Sequence, residues 1–205
     1  MSRIFSIRVV HMKKMLIIPA VFFLVIAAGA ENRLFISLGA GYLHPNDTGY
    51  RQIYGSNTLS FEVAGAVRLY RGFCLTSSVG GFSSDATTPD LGLETKASQS
   101  YFSFGLGYFV RATELLCFEA EAGVAGINFR EEALGIETKG REPGLKVGAG
   151  IMIMTEDEAM FLGLRLGYMG ARLDNPYPGV TQPQTIRLGG FLVALCVGLQ
   201  LFSNK

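Results

Sequence analysis

Residues 99–111, QSYFSFGLGYFVR, alternate with a period of two: Phe102, Phe104, Leu106, Tyr108 and Val110 fall on one side, and Ser103, Gly105, Gly107 and Phe109 on the other. One face is wholly apolar. A strand half-buried in a soluble sandwich would meet water on its second face and carry Lys, Glu or Thr there, but this face carries glycine and serine, which suit a crowded space. Both faces are therefore hidden. An apolar face against lipid and a small-residue face inside a narrow closed barrel account for this, because only helices and edgeless barrels satisfy every backbone group in hydrocarbon.

The rest of the chain agrees. Scored by alternation, it yields about eight strands, at 33–43, 58–70, 73–83, 98–111, 115–129, 144–154, 160–172 and 185–202, the smallest size for an antiparallel up-and-down transmembrane β-barrel. Outward rows read Leu34, Ile36, Leu38; Phe61, Val63, Val67, Leu69; Phe73, Leu75, Val79; Leu116, Phe118, Val124; Leu145, Val147, Ile151, Ile153; Leu162, Leu164, Leu166; and Phe191, Val193, Leu195, Val197, Leu199. Tight connections at 71–72, 112–114 and 155–159 alternate with long polar ones at 44–57, 84–97, 130–143 and 173–184, which are the expected outer loops. Leu91-Gly92-Leu93-Glu94-Thr95-Lys96 recurs as Leu134-Gly135-Ile136-Glu137-Thr138-Lys139. At the same offset Cys74 matches Cys117, and Gly105 and Gly107 match Gly148 and Gly150, so two successive hairpins look duplicated.

Before the barrel comes a different composition. Residues 1–14 are basic without an acid, 15–28 are almost unbroken apolar sequence, and Ala28-Gly29-Ala30 gives the small-x-small pattern of a cleavage site. This reads as a signal peptide at 1–30 ahead of a barrel domain at 31–205, with Met1, Met12 or Met15 as the start; the apolar run is short of the ~18 to 20 residues of a spanning anchor. Of 18 Lys and Arg, four (Arg3, Arg8, Lys13, Lys14) lie in the leader, leaving 14 against 17 acids, so the mature chain carries no basic nucleic-acid footprint. Cys74, Cys117 and Cys196 form no C-x-x-C pair, so neither a zinc site nor a disulfide framework is expected, and no cofactor is indicated.

The leader, FISLGAGY at 35–42, Gly-x-Gly-Tyr at 105–108, Leu-Gly-Tyr at 166–168 and GLQLF at 198–202 resemble the small outer-membrane barrels of the OmpW and OmpX type. This chain departs from them in ending Ser203-Asn204-Lys205 and in having no Trp, leaving Tyr42, Tyr70, Tyr108 and Tyr168 as the interfacial anchors. The resemblance implies a bacterial outer-membrane location. It implies, for OmpW-like members, a route for small hydrophobic molecules and, for OmpX-like members, loops presented for adhesion or host defence. The partners so implied are outer-membrane lipid, small hydrophobic molecules, or host ligands met by the four long loops.

Function must then come from the inward rows or the loops. Inward parity holds Glu62, Arg68, Glu119, Glu121, Lys146 and Arg165, either a structural ion-pair network or a proton or ion path; the same charges facing lipid would cost ~2 to 4 kcal/mol each for Lys or Arg. Toward the long loops the inward parity gathers Leu43, Phe82, Tyr101, Ile127, Phe129 and Met169, an apolar mouth above a polar floor, read as a site for a small hydrophobic molecule or as a packed plug. Arg187 shares parity with outward Phe191, so it snorkels at the outer edge or Gly189-Gly190 marks a bulge. Catalysis is not expected, since His44 is the one mature histidine and neither His-x-Ser nor G-x-S-x-G occurs. Glu156-Asp157-Glu158 reads as a solvated turn rather than a calcium site.

Overall fold

The computed structural model describes residues 34–88, 92–174 and 185–201. Eight antiparallel strands close on themselves in sequence order: β1 Leu34–Pro45, β2 Thr58–Tyr70, β3 Phe73–Thr87, β4 Glu94–Arg111, β5 Leu116–Ala133, β6 Ile136–Met154, β7 Met160–Asp174 and β8 Thr185–Leu201, with one short helix, α1 Thr48–Tyr54, between β1 and β2. Pairing of β1 with β8, from Leu34 opposite Leu201 to Pro45 opposite Gly190, removes the last sheet edge. No described helix is long and apolar enough to cross a membrane. The expected leader lies outside the described residues, as does 175–184 of the expected loop at 173–184.

Alternation decides which way each side chain points. Residues of the expected outward rows are exposed or half-exposed, and so are Phe102, Phe104, Leu106, Tyr108 and Val110 of β4. Val67 is the exception: it is buried, next to the bulge where β2 slips between Arg68 and Tyr70. An apolar wall of this kind, turned outward around a closed barrel, is stable against hydrocarbon and unstable against water. Aromatic side chains mark its two margins. Phe73 and Tyr108, with ring centroids 4.8 Å apart, sit with Tyr70 near the short turns, and Tyr168 and Phe191, 5.3 Å apart, sit with Tyr42 near the long connections.

Two of the expected loops are corrected by the structure. Residues 84–97 and 130–143 are mostly strand, because β3 pairs with β4 out to Thr87 opposite Glu94 and β5 with β6 out to Ala133 opposite Ile136. A membrane-crossing strand needs only ~9 to 11 residues, whereas β4, β5 and β6 have 18, 18 and 19. Their upper thirds stand above the lipid, where the outward face turns polar and the apolar alternation that marks a strand disappears. Leu134 and Gly135, both at positive φ (53° and 74°), close the β5–β6 hairpin in two residues. The sequence repeat maps onto equivalent places: Gly92 and Gly135 both adopt positive φ at the outer end of a hairpin, and Cys74 and Cys117 both open the strand that climbs to it.

Candidate binding site at the barrel mouth

The lumen is layered, and the middle layer is ionic. Glu62 on β2 accepts hydrogen bonds from Lys146 Nζ of β6 (2.6 Å), from Arg165 Nη1 of β7 (2.8 Å) and from the Tyr101 hydroxyl of β4 (2.6 Å). Arg165 also grips Glu119 of β5 with two donors, at 2.6 and 3.1 Å. Lys146 donates to Ser78, whose hydroxyl meets that of Ser103 at 2.7 Å, and stands 3.1 Å from Glu121 Oε1 without hydrogen-bond geometry. Room for these long side chains comes from glycine. Gly150 lies opposite Glu119 in the ladder, and a Cβ there would sit 2.6 Å from its carboxylate; a Cβ at Gly80 would sit 2.6 Å from the Tyr101 hydroxyl.

Five of the six expected lumen charges thus meet in one network, and Arg68 does not. It lies at the β2 bulge toward the short turns, half-buried, and makes no ion pair among the described residues. The expected polar floor is also corrected to a polar middle. Below the charges lies a second apolar layer of Phe35, Met152, Met154 and Phe161 with Cys74 and Cys196, and Phe35 stacks on Phe109 with centroids 5.0 Å apart. Glu119 and Glu121 reach across the ladder, over Gly150 and Gly148, to their cations, leaving the bottom to aromatic rings. The gap between the two layers is about 20 Å³, room for about one water.

All six residues expected at the apolar mouth point inward and are buried, but they are divided between two clusters. Leu43 and Phe82 join Ala97, Leu192, Tyr50 and Tyr54; Tyr101, Ile127, Phe129 and Met169 join Ala125, Leu173 and Leu188. Tyr101 has a second role, since its hydroxyl ties the mouth to Glu62 beneath. The contribution of α1 was not legible in sequence. Asp47 caps it, accepting from the Tyr50 N–H (2.8 Å) and, across the rim, from the Arg187 N–H of β8 (3.1 Å). Asn46 reaches the carbonyls of Met169 (3.1 Å) and Leu188 (3.2 Å), and Arg51 donates to that of Pro45 (2.6 Å), so the segment is tied to β1, β7 and β8.

So anchored, α1 leans over one side of the mouth. Tyr50 packs edge-on against Phe82 (6.1 Å) and beside Tyr54 (4.6 Å), and the Tyr54 hydroxyl donates to Glu131 of β5 (2.8 Å). Burial raises the Tyr54 pKa above the ordinary tyrosine value, and the neighbouring Glu131 carboxylate pushes the same way; burial raises that of Tyr50 as well. Between α1 and the opposite rim is a cavity of about 610 Å³. Tyr50, Ile53, Tyr54, Phe129 and Ile186 supply its apolar lining, and Asp47, Glu131, Arg172 and Arg187 its charges. Arg187 is exposed at the outer edge, and Gly189 adopts a positive φ of 81° that turns its N–H inward to Gln99 Oε1 (2.8 Å), yet β7 and β8 keep one register through it. His44 contacts Asn57 at 3.4 Å.

No family model matches the sequence, and no curated protein matches it either. Solved structures do. The outer membrane protein OprG from Pseudomonas aeruginosa superposes with a TM-score of 0.65 at 12% identity, over 83% of this chain and 96% of that one. Ail, the attachment invasion locus protein of Yersinia pestis, gives 0.54 at 14% identity over 82% and 98%. The N-terminal β-barrel domain of Pseudomonas aeruginosa OprF gives 0.52 at 17% identity over 83% and 98%. This is the fold of a small outer-membrane barrel. Eight strands, short turns at one end, longer excursions at the other and a lipid-facing wall belong to the bacterial outer membrane, and the outer-membrane barrel described here carries an inner concavity of about 610 Å³ at the end with the longer excursions.

Proposed function

We propose that this outer-membrane barrel binds small hydrophobic molecules in the bowl between α1 and the β5, β7 and β8 rim, and takes them from the outside without a straight path through the lumen. One observation carries this reading: a cavity of about 610 Å³, within the size range of small-molecule sites, with aromatic and aliphatic side chains on its walls and a buried apolar bed under it. Below that bed the ionic layer and the phenylalanine layer fill the bore, so release goes sideways into lipid rather than downward. The role is binding rather than catalysis, with residues 1–30 as the export signal.

The test is saturable binding of the apolar fluorophore N-phenylnaphthylamine to the refolded protein, compared with Phe129→Glu and Phe82→Glu. Wild type should saturate. Phe129→Glu, which puts a charge on the cavity wall, should weaken binding at least tenfold, and Phe82→Glu, which disturbs the seat of Tyr50, should weaken it less. Absence of saturation, or equal binding by both variants, sends the reading to its alternative.

That alternative is presentation of the outer segments to a host surface, and the observation favouring it is the pair of hairpins β3–β4 and β5–β6, whose strand pairing continues above the lipid. Among proteins of this fold, Ail is described as an attachment invasion locus protein and has been solved with the heparin analogue sucrose octasulfate. Replacing residues 132–137 with a two-residue Asn-Gly turn should abolish adhesion to host matrix if the hairpins are the site and leave probe binding intact.

A further inference from the structure

Outside the barrel, at the level where the apolar wall ends, β4, β5 and β6 form a polar groove of about 540 Å³ that shares only Phe129 with the lining of the mouth cavity. Its floor follows from the ladder. Ser100, Asn128 and Arg141 are successive partners across the three strands, and one row higher come Ser98, Arg130 and Lys139, all on the outward parity. One row lower the same parity gives Phe102, Gly126 and Pro143, and below that Phe104, Val124 and Leu145, the lipid-facing wall. Same-face neighbours along a strand are about 7 Å apart. The cations of the groove therefore stand within one or two such steps of hydrocarbon.

Their pairing is uneven. Arg130 pairs with Glu137 and, at 3.8 Å, with Glu132, and Lys139 pairs with the same Glu137. Both carboxylates belong to the next row away from the membrane, where Glu132 lies opposite Glu137. Arg141, nearest the lipid, has no carboxylate partner among the described residues, and its guanidinium lies over the bare backbone of Gly126: a Cβ there would be 3.8 Å from Nη2. Three cations thus face two carboxylates, and the surplus charge sits at the membrane edge, with the Ser100 and Asn128 side chains beside it as further hydrogen-bonding groups.

We infer that this groove holds the phosphate of a phosphorylated glycolipid of the outer leaflet, with Arg141 as its principal contact and Lys139 and Arg130 above. A ligand with an anionic head and acyl chains matches a surface that changes from cationic to apolar along the same three strands, and a planar guanidinium suits two phosphate oxygens at once. A soluble anion would use only the upper half of that surface. The inference rests on the outer-face orientation of the long hairpins, which tags in them, read on intact cells, examine separately.

The experiment is native mass spectrometry of the whole refolded barrel in detergent with added lipid A, with phosphate-free lipid A, and with inorganic phosphate as competitor. Wild type should retain lipid A and not the phosphate-free form. Arg141→Gln should lower retention about tenfold, the scale of one lost charge-assisted hydrogen-bond set. Arg141→Lys should fall between, and Arg71→Gln, in the β2–β3 turn at the opposite end of the barrel, should match wild type. Lys139→Gln, expected to reduce retention less, serves if Arg141→Gln fails to give the heat-modifiable band of a folded barrel. Equal retention by the folded Arg141 and Lys139 variants, equal retention of the phosphate-free lipid, or displacement by millimolar phosphate would each overturn the assignment.

Discussion

The two apolar layers of the lumen are built from similar material and do different things. Below the charges, Phe35, Phe109 and Phe161 pack on Met152, and the space left over is about 20 Å³. Above them, Ile127, Phe129, Met169 and Leu188 are packed as tightly, but the side chains that complete the upper layer, Tyr50 and Tyr54, come from a seven-residue helix outside the ladder, and about 610 Å³ stays open beside it. A ring held by strands fills a bore, whereas a ring held by a tethered helix makes a wall that can yield. The lower layer is a stopper and the upper one a receptacle.

The largest effect should come from the charges that separate the layers. Glu62→Ala leaves Lys146 and Arg165 buried without their shared carboxylate and should cost about 3 to 5 kcal/mol, read from urea unfolding of the refolded barrel by circular dichroism; a loss under about 1 kcal/mol would mean that the layer is wet and loosely paired. Next comes the stopper. Phe161→Ala should cost about 3 kcal/mol by opening a cavity in a site fixed by strands, while Tyr50→Ala at the mouth should cost well under half of that in the same assay and alter probe binding. Equal losses at the two positions would erase the distinction between the layers.

Smaller again is the cap. Asp47→Ala removes the acceptor for the Tyr50 N–H and for the Arg187 N–H and should weaken docking of α1 by about 1 kcal/mol, seen as faster hydrogen exchange at residues 48–54 with the barrel amides unchanged. The least effect is a titration. The Tyr54 pKa is raised in the folded protein, so the contribution of the neutral ring is fully present below the ordinary tyrosine value of about 10 and is lost as pH rises through the folded value. Tyr54→Phe should remove one late step from the 295 nm alkaline titration, and a step at the ordinary value would place Tyr54 in solvent.

Much of this was legible because a barrel reads its sequence two residues at a time. Alternation bounds Thr58–Tyr70 as the structure does, gives the outward rows apart from Val67, and picks out Glu62, Glu119, Glu121, Lys146 and Arg165 by parity alone. Parity gives direction and not height or reach. Hence Glu119 reads as part of the floor although its side chain crosses Gly150 to Arg165 in the middle layer, and Arg68 groups by parity with charges that a bulge keeps it from joining. Above the lipid the rule loses its contrast, since a strand in water has no need of an apolar face, and so 84–97 and 130–143 read as loops. Helix α1 carries no strand signal, and its Tyr50 and Tyr54 reach the lumen from outside the pattern.

Where a bound molecule sits decides the account. A small apolar photoreactive probe such as benzophenone, activated on the refolded barrel and mapped by peptide mass spectrometry, should label Tyr50, Ile53, Tyr54, Phe129 or Ile186 in a manner blocked by excess N-phenylnaphthylamine. Labelling confined to the lipid-facing wall at Phe61 or Leu195, or labelling of Phe35, Phe109 and Phe161 in the lower layer, would contradict a receptacle above a stopper.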